Sequence, residues 1–307
     1  MNNPWDLVDL RVFCAVARHA SFNAAAADLG ISPAYVSKRV ADLERALSVT
    51  LFRRTTRRVQ ISEEGALAYT WARRVLAAAD SLNEEVTGAK GSPAGTLRIS
   101  TSMRLGRNHV SHVLSMLQKA HPGLQVWLEL LDRRVDLIGE AFDIDIRMAE
   151  VTEPHLVRHL IAKNKRILCA APTYLKRRGH PAQLAELAMH DCLLYRERHL
   201  MFGVWRMEGP NGSESVKVTG PMGSNHSDIV RNWALDGHGI VLLSSWDVAP
   251  ELKSGALVRV LPGYGEVANV WAATAARPAE LPKIKVCIEF LAKHLTRGKF
   301  ALDTSIE

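Results

Sequence analysis

Between Ser21 and Leu47 the residues that start and stop helices fall so close together that the local chain path is nearly fixed. Ser21 can accept a backbone N–H as a helix cap. The alanine-rich run Phe22–Leu29 then ends at Gly30, which takes a positive φ without steric cost. After Ile31 come Ser32 and Pro33, a capping residue followed by the residue best suited to the first helical position. Val36, Val40, Leu43 and Leu47 then recur at helical spacing, so the helix they define buries one stripe. Upstream, Leu7, Leu10, Phe13, Val16 and Ala17 place a first helix from Leu7 to about His19–Ala20. A helix, a short helix, a glycine turn and a capped third helix make a helix-turn-helix.

The outer side of the third helix starts small and becomes basic: Ser32, Pro33, Ala34, Tyr35, Ser37, Lys38 and Arg39. Such a face suits a major groove, with short residues permitting close approach and long ones reaching base edges or phosphates. Ser21 belongs to the same candidate surface. The next segment, Leu51–Ser62, reads as a short hairpin anchored by Phe52, Val59 and Ile61, with Arg53, Arg54, Thr55 and Arg57 at its tip or edge. Residues 1–62 hold nine Lys and Arg against five Asp and Glu, and no acid falls between Arg45 and Arg58. The formal charge of the 307-residue chain is +7, so about a fifth of the chain carries over half of it. A small bundle with a solvated basic face is the bland alternative; the arginine run directly behind the third helix favours double-stranded DNA.

From Ser62 to about Thr87 there is no proline, and Leu67, Trp71, Val75, Ala78 and Leu82 line one side. A helix of that length, roughly 37 Å, is too long to be covered by a small domain and calls for a partner helix from a second copy. Gly88–Gly95, with Gly91, Ser92 and Pro93, breaks the periodicity and reads as a hinge. Beyond it strand-like and helical stretches alternate. Strands are expected at Leu97–Ser100, Leu124–Leu130, Ile144–Met148, Arg166–Ala171, Val216–Val218, Ile240–Leu243, Leu257–Leu261 and Ala268–Thr274, and helices over 106–120, 133–141, 173–178, 226–236 and 282–296. This is α/β organisation.

In open α/β sheets small ligands collect past strand ends and at helix N-termini, where backbone N–H groups favour anions. Ser100, Thr101, Ser102 and Arg104, with Arg107 one turn on, form one such junction. Asn225, His226 and Ser227, ahead of a helix from Ile229, form another. Ordinary helix capping would account for these serines equally. Arg147, alternating with Asp143 and Asp145, is open to two readings, an ion pair inside the fold or a ligand contact.

Ser21-Phe22 with Ala24–Ala27, Leu29-Gly30-Ile31-Ser32, Val36-Ser37, Leu43-Glu44, Leu51-Phe52-Arg53-Arg54 and Ser62-Glu63-Glu64-Gly65 together resemble the N-terminal signature of the LysR-type transcriptional regulators. The resemblance implies an all-α winged helix-turn-helix (1–62), a linker and dimerisation helix (63–87), a hinge (88–95) and a two-lobed effector domain (96–307) similar to type 2 periplasmic binding proteins. Lobe I would be 96–163 with 267–307, and lobe II 164–266. A narrower resemblance, to members that regulate D-malate degradation, is carried by Asp143–Arg147, Phe202–Trp205, Lys217–Pro221, Ser224–His226, Ala234–Gly237, Gly239–Leu242, Trp246–Val248 and Ala268–Ala272. Thr101–Arg104 departs from that pattern. It implies promoter or operator DNA and a dicarboxylate such as D-malate as partners. It also implies homodimers pairing into homotetramers, contact with RNA polymerase and activation of a nearby catabolic gene.

No Gly-x-Ser-x-Gly, Gly-x-Gly-x-x-Gly or Gly-x-x-x-x-Gly-Lys run occurs, so neither catalysis nor a cofactor is expected. His109, His112, His155 and His159 lack cysteines or paired carboxylates at ligand spacing, and no metal is expected. Cys14, Cys169, Cys192 and Cys287 lie mostly in apolar runs and read as reduced, buried residues. With no apolar run of membrane-spanning length and no signal-like start, a cytoplasmic protein with no membrane partner is expected. Two rivals from other classes remain, an enzyme with a DNA-binding appendage and a sensor acting through protein contacts alone.

Overall fold

The computed structural model describes residues 5–55, 58–87, 93–133, 135–148, 150–196, 203–275 and 281–302. They form two compact units, residues 1–91 with 136–141, and 92–135 with 142–307.

In the N-terminal unit, α1 (Leu7–His19), α2 (Phe22–Leu29) and α3 (Pro33–Leu47) fall where the stop and start residues place them. Asp6 and Asp9 form a capping box at α1. Gly30 closes α2 with φ +66°, and Ser32 caps α3 ahead of Pro33. Phe13, Val16, Ala25, Val36, Val40, Leu43, Leu51 and Phe52 make one core. The hairpin β1 (Phe52–Thr55) and β2 (Arg58–Ile61) follows. It is tied to α3 through Glu44, whose Oε1 accepts from the backbone N–H groups of Leu51 at 2.7 Å and Phe52 at 3.2 Å.

The long helix α4 (Glu63–Thr87) begins at Ser62, whose Oγ accepts from Gly65 N at 2.8 Å and donates to the Thr50 carbonyl. Ala68, Tyr69, Ala72, Val75 and Leu76 pack on the helical core, while Leu67, Trp71 and Leu82 are 57–64% exposed. Gly65 is a close-approach position, because a Cβ there would run into the carbonyl oxygen of Leu51 and Cγ1 of Ile61. Gly65→Ala is therefore expected to lower the stability of this unit by about 1–3 kcal/mol, read from its urea midpoint. An unchanged midpoint would mean that the Leu51 carbonyl yields freely.

The second unit holds two sheets. One has the order β4-β3-β5-β15-β6, with β3 (Gly95–Thr101), β4 (Leu124–Leu130) and β5 (Ile144–Arg147) parallel neighbours, and β15 (Val270–Ala275) antiparallel to both β5 and β6 (Leu156–Ala162). Short α5 (Met103–Leu105), a π-helical turn over Gly106–Val110 and α6 (Ser111–Ala120) follow β3 without a break, and α10 (Pro282–Thr296) packs beside α6. The other sheet has the order β11-β8-β12-β7-β13, with β14 also on β7. Its strands are β7 (Lys165–Ala170), β8 (Cys192–Tyr195), β11 (Gly223–Ser224), β12 (Ile240–Ser244), β13 (Val258–Arg259) and β14 (Glu266–Val267). Helices α7 (Pro172–Arg178), α8 (Ser227–Leu235) and α9 (Ser245–Ser254) flank it, and β9 (Val204–Gly209) with β10 (Gly212–Lys217) forms a separate hairpin.

The chain crosses between the sheets twice, and Asn164 laces the crossings together. Its backbone N–H donates to Asn269 Oδ1 at 3.1 Å, and its Nδ2 donates to Ser244 Oγ at 3.1 Å and the Ala268 carbonyl at 2.8 Å.

The helix expected over 133–141 does not form; 137–141 are turn. Asp136 Oδ1 accepts from Gly139 N at 2.9 Å and Glu140 Oε1 accepts from Asp136 N at 3.1 Å; the backbone closes a single turn, Glu140 N to the Asp136 carbonyl at 2.8 Å, and ends at Ala141 with φ +54°. All four cysteines are buried and unpaired. Burial pushes the thiol of Cys14 up to about 11 and that of Cys192 up to about 12, and raises Cys169 and Cys287 as well. The native protein is therefore expected to resist an aromatic disulfide reagent at pH 8 until denaturant is added; prompt labelling of one thiol would contradict this burial.

Candidate functional site

On the first surface, Ser32, Pro33, Ala34, Tyr35 and Lys38 are exposed along α3, Ser37 is half-buried, and Arg53 is exposed on β1. Three of the expected contacts have another task within the domain. Ser21 Oγ accepts from Ala24 N at 3.2 Å and Ser32 Oγ from Tyr35 N at 3.2 Å, so both hydroxyls are caps. Arg39 is committed to α1: its guanidinium pairs with Asp6 at 2.9 Å and Asp9 at 3.0 Å and lies 5.6 Å from the Tyr35 ring. It braces α3 against α1. The N–H of Asp9 and the Arg39 guanidinium hold the Asp6 carboxyl below the usual carboxylate range. The side chains of Arg54 and Thr55, and Arg57 as a whole, lie outside the described residues, as do residues 88–92 of the expected hinge.

The second site is a cavity between the two sheets of the C-terminal unit, lined among others by Ser102, Arg104, Arg166, Ser227, Trp246 and Asp247. Its room, about 10 Å³ for the centre of a water molecule, suits roughly one water. Arg104 closes it. From α5 the guanidinium reaches across to Asp228 of α8 and Asp247 of α9, with Nη2 donating to the Asp247 carbonyl at 3.0 Å. Arg107 Nη2 meets the other oxygen of Asp228 at 2.7 Å, and Arg231 contacts Asp228 at 3.6 Å and also pairs with Glu251.

Burial of Asp247 raises its carboxyl to about 6, against the pull of Arg104 and Arg231, while burial also draws the Arg104 guanidinium down. A carboxyl raised on folding binds protons that the unfolded chain releases. Its contribution to stability is present below about pH 4 and is lost as pH rises through about 6. Asp247→Asn should remove that component, so the wild-type-minus-variant stability difference should fall between pH 4 and 6 and level off above; a flat difference would place Asp247 in ordinary solvent.

The other expected cleft residues divide. Ser102 and Ser227 line the cavity. Ser100 and Thr101 are buried within β3, and Ser100 Oγ donates to Asp145 Oδ1 at 2.6 Å. Arg147 is held by Asp145 and Glu153, each at 3.0 Å, which makes it an internal ion pair. Asn225 is exposed, and His226 is the cap residue of α8 without a side-chain cap bond. Arg166, on β7, was not anticipated; it lines the cavity and pairs with Glu266 at 2.7 Å. Asp228 and Asp247, the acids that engage Arg104, gave no signal beyond their places near helix starts.

Two family models match, "Bacterial regulatory helix-turn-helix protein, lysR family" over residues 7–66 and "LysR substrate binding domain" over residues 90–296. The chain belongs to the LysR family of transcriptional regulators. Among the LysR relatives is the HTH-type transcriptional regulator DmlR of Escherichia coli, 46% identical over 294 residues that cover 96% of each chain. The HTH-type transcriptional activator TtdR of Escherichia coli is 44% identical over 95% of this chain and 94% of that one. In three dimensions CrgA, a LysR-type regulator from Neisseria meningitidis, is similar with a TM-score of 0.59 and 26% identity, over 94% of this chain and 99% of that one. The helices α1 to α3 thus fall within the lysR-family helix-turn-helix match, and the cavity lies within a LysR substrate-binding domain. The matched families are regulators, and the enzyme reading finds no support among them.

Proposed function

We propose that this protein is a cytoplasmic, dicarboxylate-responsive activator of a nearby catabolic gene, assembled as paired dimers. The observation that carries the ligand class is the likeness to DmlR and TtdR along nearly the whole chain, together with a cleft whose buried cations are Arg104 and Arg166. On DNA, α3 would enter a major groove with Ser32, Pro33, Ala34, Tyr35, Ser37 and Lys38, while Arg53, Arg54, Thr55 and Arg57 neutralise adjacent phosphates. The exposed Leu67, Trp71 and Leu82 of α4 favour pairing of two such helices. Closure or opening of the cleft by D-malate or a related dicarboxylate would shift the placement of the paired domains, DNA bending and contact with RNA polymerase. The test is to add D-malate, L-malate and tartrate separately to the protein bound to labelled DNA from immediately upstream of its gene. A change of affinity or footprint with one of them is expected; no response to any would remove the dicarboxylate from the account.

A further inference from the structure

Resting on the reading of the cleft as an anion-sensing site, we infer that Asp228 occupies the position an effector carboxylate takes, and that ligand binding displaces it. One carboxylate, at the start of α8, meets three guanidinium groups: Arg104 across the cleft, Arg107 at 2.7 Å and Arg231 at 3.6 Å. Asp228 and Arg104 are largely enclosed, with side chains 15% and 10% exposed. Arg231 has a carboxylate of its own in Glu251, and Arg104 has Asp247. Removing the Asp228 charge would therefore leave one excess positive charge, shared between the enclosed Arg104 and Arg107, whose side chain is 59% exposed at the mouth of the site.

A second observation points to a ligand there. Trp246 lines the cavity and is only 5% exposed, and its buried Nε1–H has no hydrogen-bond partner among the described residues. A buried indole N–H normally finds an acceptor. A carboxylate or hydroxyl oxygen in the cleft would supply one, beside the hydroxyls of Ser102 and Ser227. A two-headed acid fits this arrangement: one carboxylate takes over Arg104 and Arg107 from Asp228, and the remainder reaches toward Trp246 and Arg166.

The exchange also gives the signal. Arg104 comes from the helix after β3 and Asp228 from the helix after β11, so their pair ties the two sheets' lobes together. A free carboxylate that replaces Asp228 cuts that tie and substitutes its own, and the cleft cannot accept ligand without the change. Self-occupation lowers apparent affinity by the fraction of molecules in which the site is vacant.

The test uses the full-length protein with Asp228→Ala and, as a conservative variant that keeps the side chain's shape, Asp228→Asn. Thermal melting is followed in sodium acetate, succinate and D-malate against sodium chloride of equal ionic strength, and binding of succinate and D-malate is titrated calorimetrically. The expected result is that acetate raises the melting temperature of Asp228→Ala above its value in chloride, with no such effect on the wild type. The variants should also bind dicarboxylate about tenfold more tightly than the wild type. Equal melting in acetate and chloride, or unchanged or weaker dicarboxylate binding by both variants, would overturn the proposal. Acetate asks only for a carboxylate site, so its result stands whether or not D-malate is the effector. Binding of the wild type to its upstream DNA, read separately, reports on the regulator reading.

Discussion

Arg104→Ala is expected to lower the stability of the effector domain by about 3–5 kcal/mol, the cost of stranding a buried charge by removing its partner. Asp247 is only 3% exposed and receives both an ion pair and a carbonyl-directed N–H from Arg104. Asp228 keeps Arg107 and Arg231 and suffers less. The loss should therefore be smaller when Asp247 is already neutral: Arg104→Ala in an Asp247→Asn background should cost distinctly less than Arg104→Ala alone, a coupling that urea denaturation of the four proteins measures. Strict additivity would show that Arg104 and Asp247 do not depend on one another.

The second large effect lies on DNA. Lys38→Ala, at an exposed position of α3, is expected to reduce discrimination between operator and random DNA by about 1–3 kcal/mol, as for loss of a good base contact. Arg53→Ala, on the hairpin, should instead weaken both DNAs alike and lower the slope of log affinity against log salt by about one. Arg39→Ala should behave differently from either. Its guanidinium is tied to Asp6 and Asp9, so the domain should melt earlier and lose affinity for every sequence in proportion. Competition titrations with operator and scrambled DNA at three salt concentrations separate the three patterns, and a shared pattern for Lys38 and Arg53 would reassign Lys38 to the backbone.

The N-terminal unit was legible in the sequence because its signals are local. Ser21, Gly30, Ser32 and Pro33 act on neighbouring residues through capping and φ preference, and α2 begins and ends, and α3 begins, where these residues dictate. The α/β region was readable where strands are apolar and flanked by breaks, as at β3, β4, β7 and β12. It was opaque at β6, β8 and β9, and caught only the end of β10 through Val216–Val218; the two strands pair from Gly209 and Gly212 around a Pro210-Asn211 loop. The cleft residues were the least legible. Ser100 sits at a plausible strand position, but Asp145 on the neighbouring strand decides its role; for Arg147 the same Asp145, two residues away on its own strand, settles in favour of the ion pair a choice that the sequence left open. Arg104 was found from its junction, whereas its partners Asp228 and Asp247 lie more than a hundred residues away, and only the fold brings them together.

The most direct measurement is fluorescence anisotropy of the full-length protein on labelled DNA from immediately upstream of its gene, set against a scrambled duplex of equal length at fixed salt. Binding to the upstream DNA at least about a thousandfold tighter than to the scrambled duplex is the result expected of a specific regulator. Equal affinity for the two duplexes would contradict sequence-specific control from that region, and with it the assignment of α3 as the reading helix there.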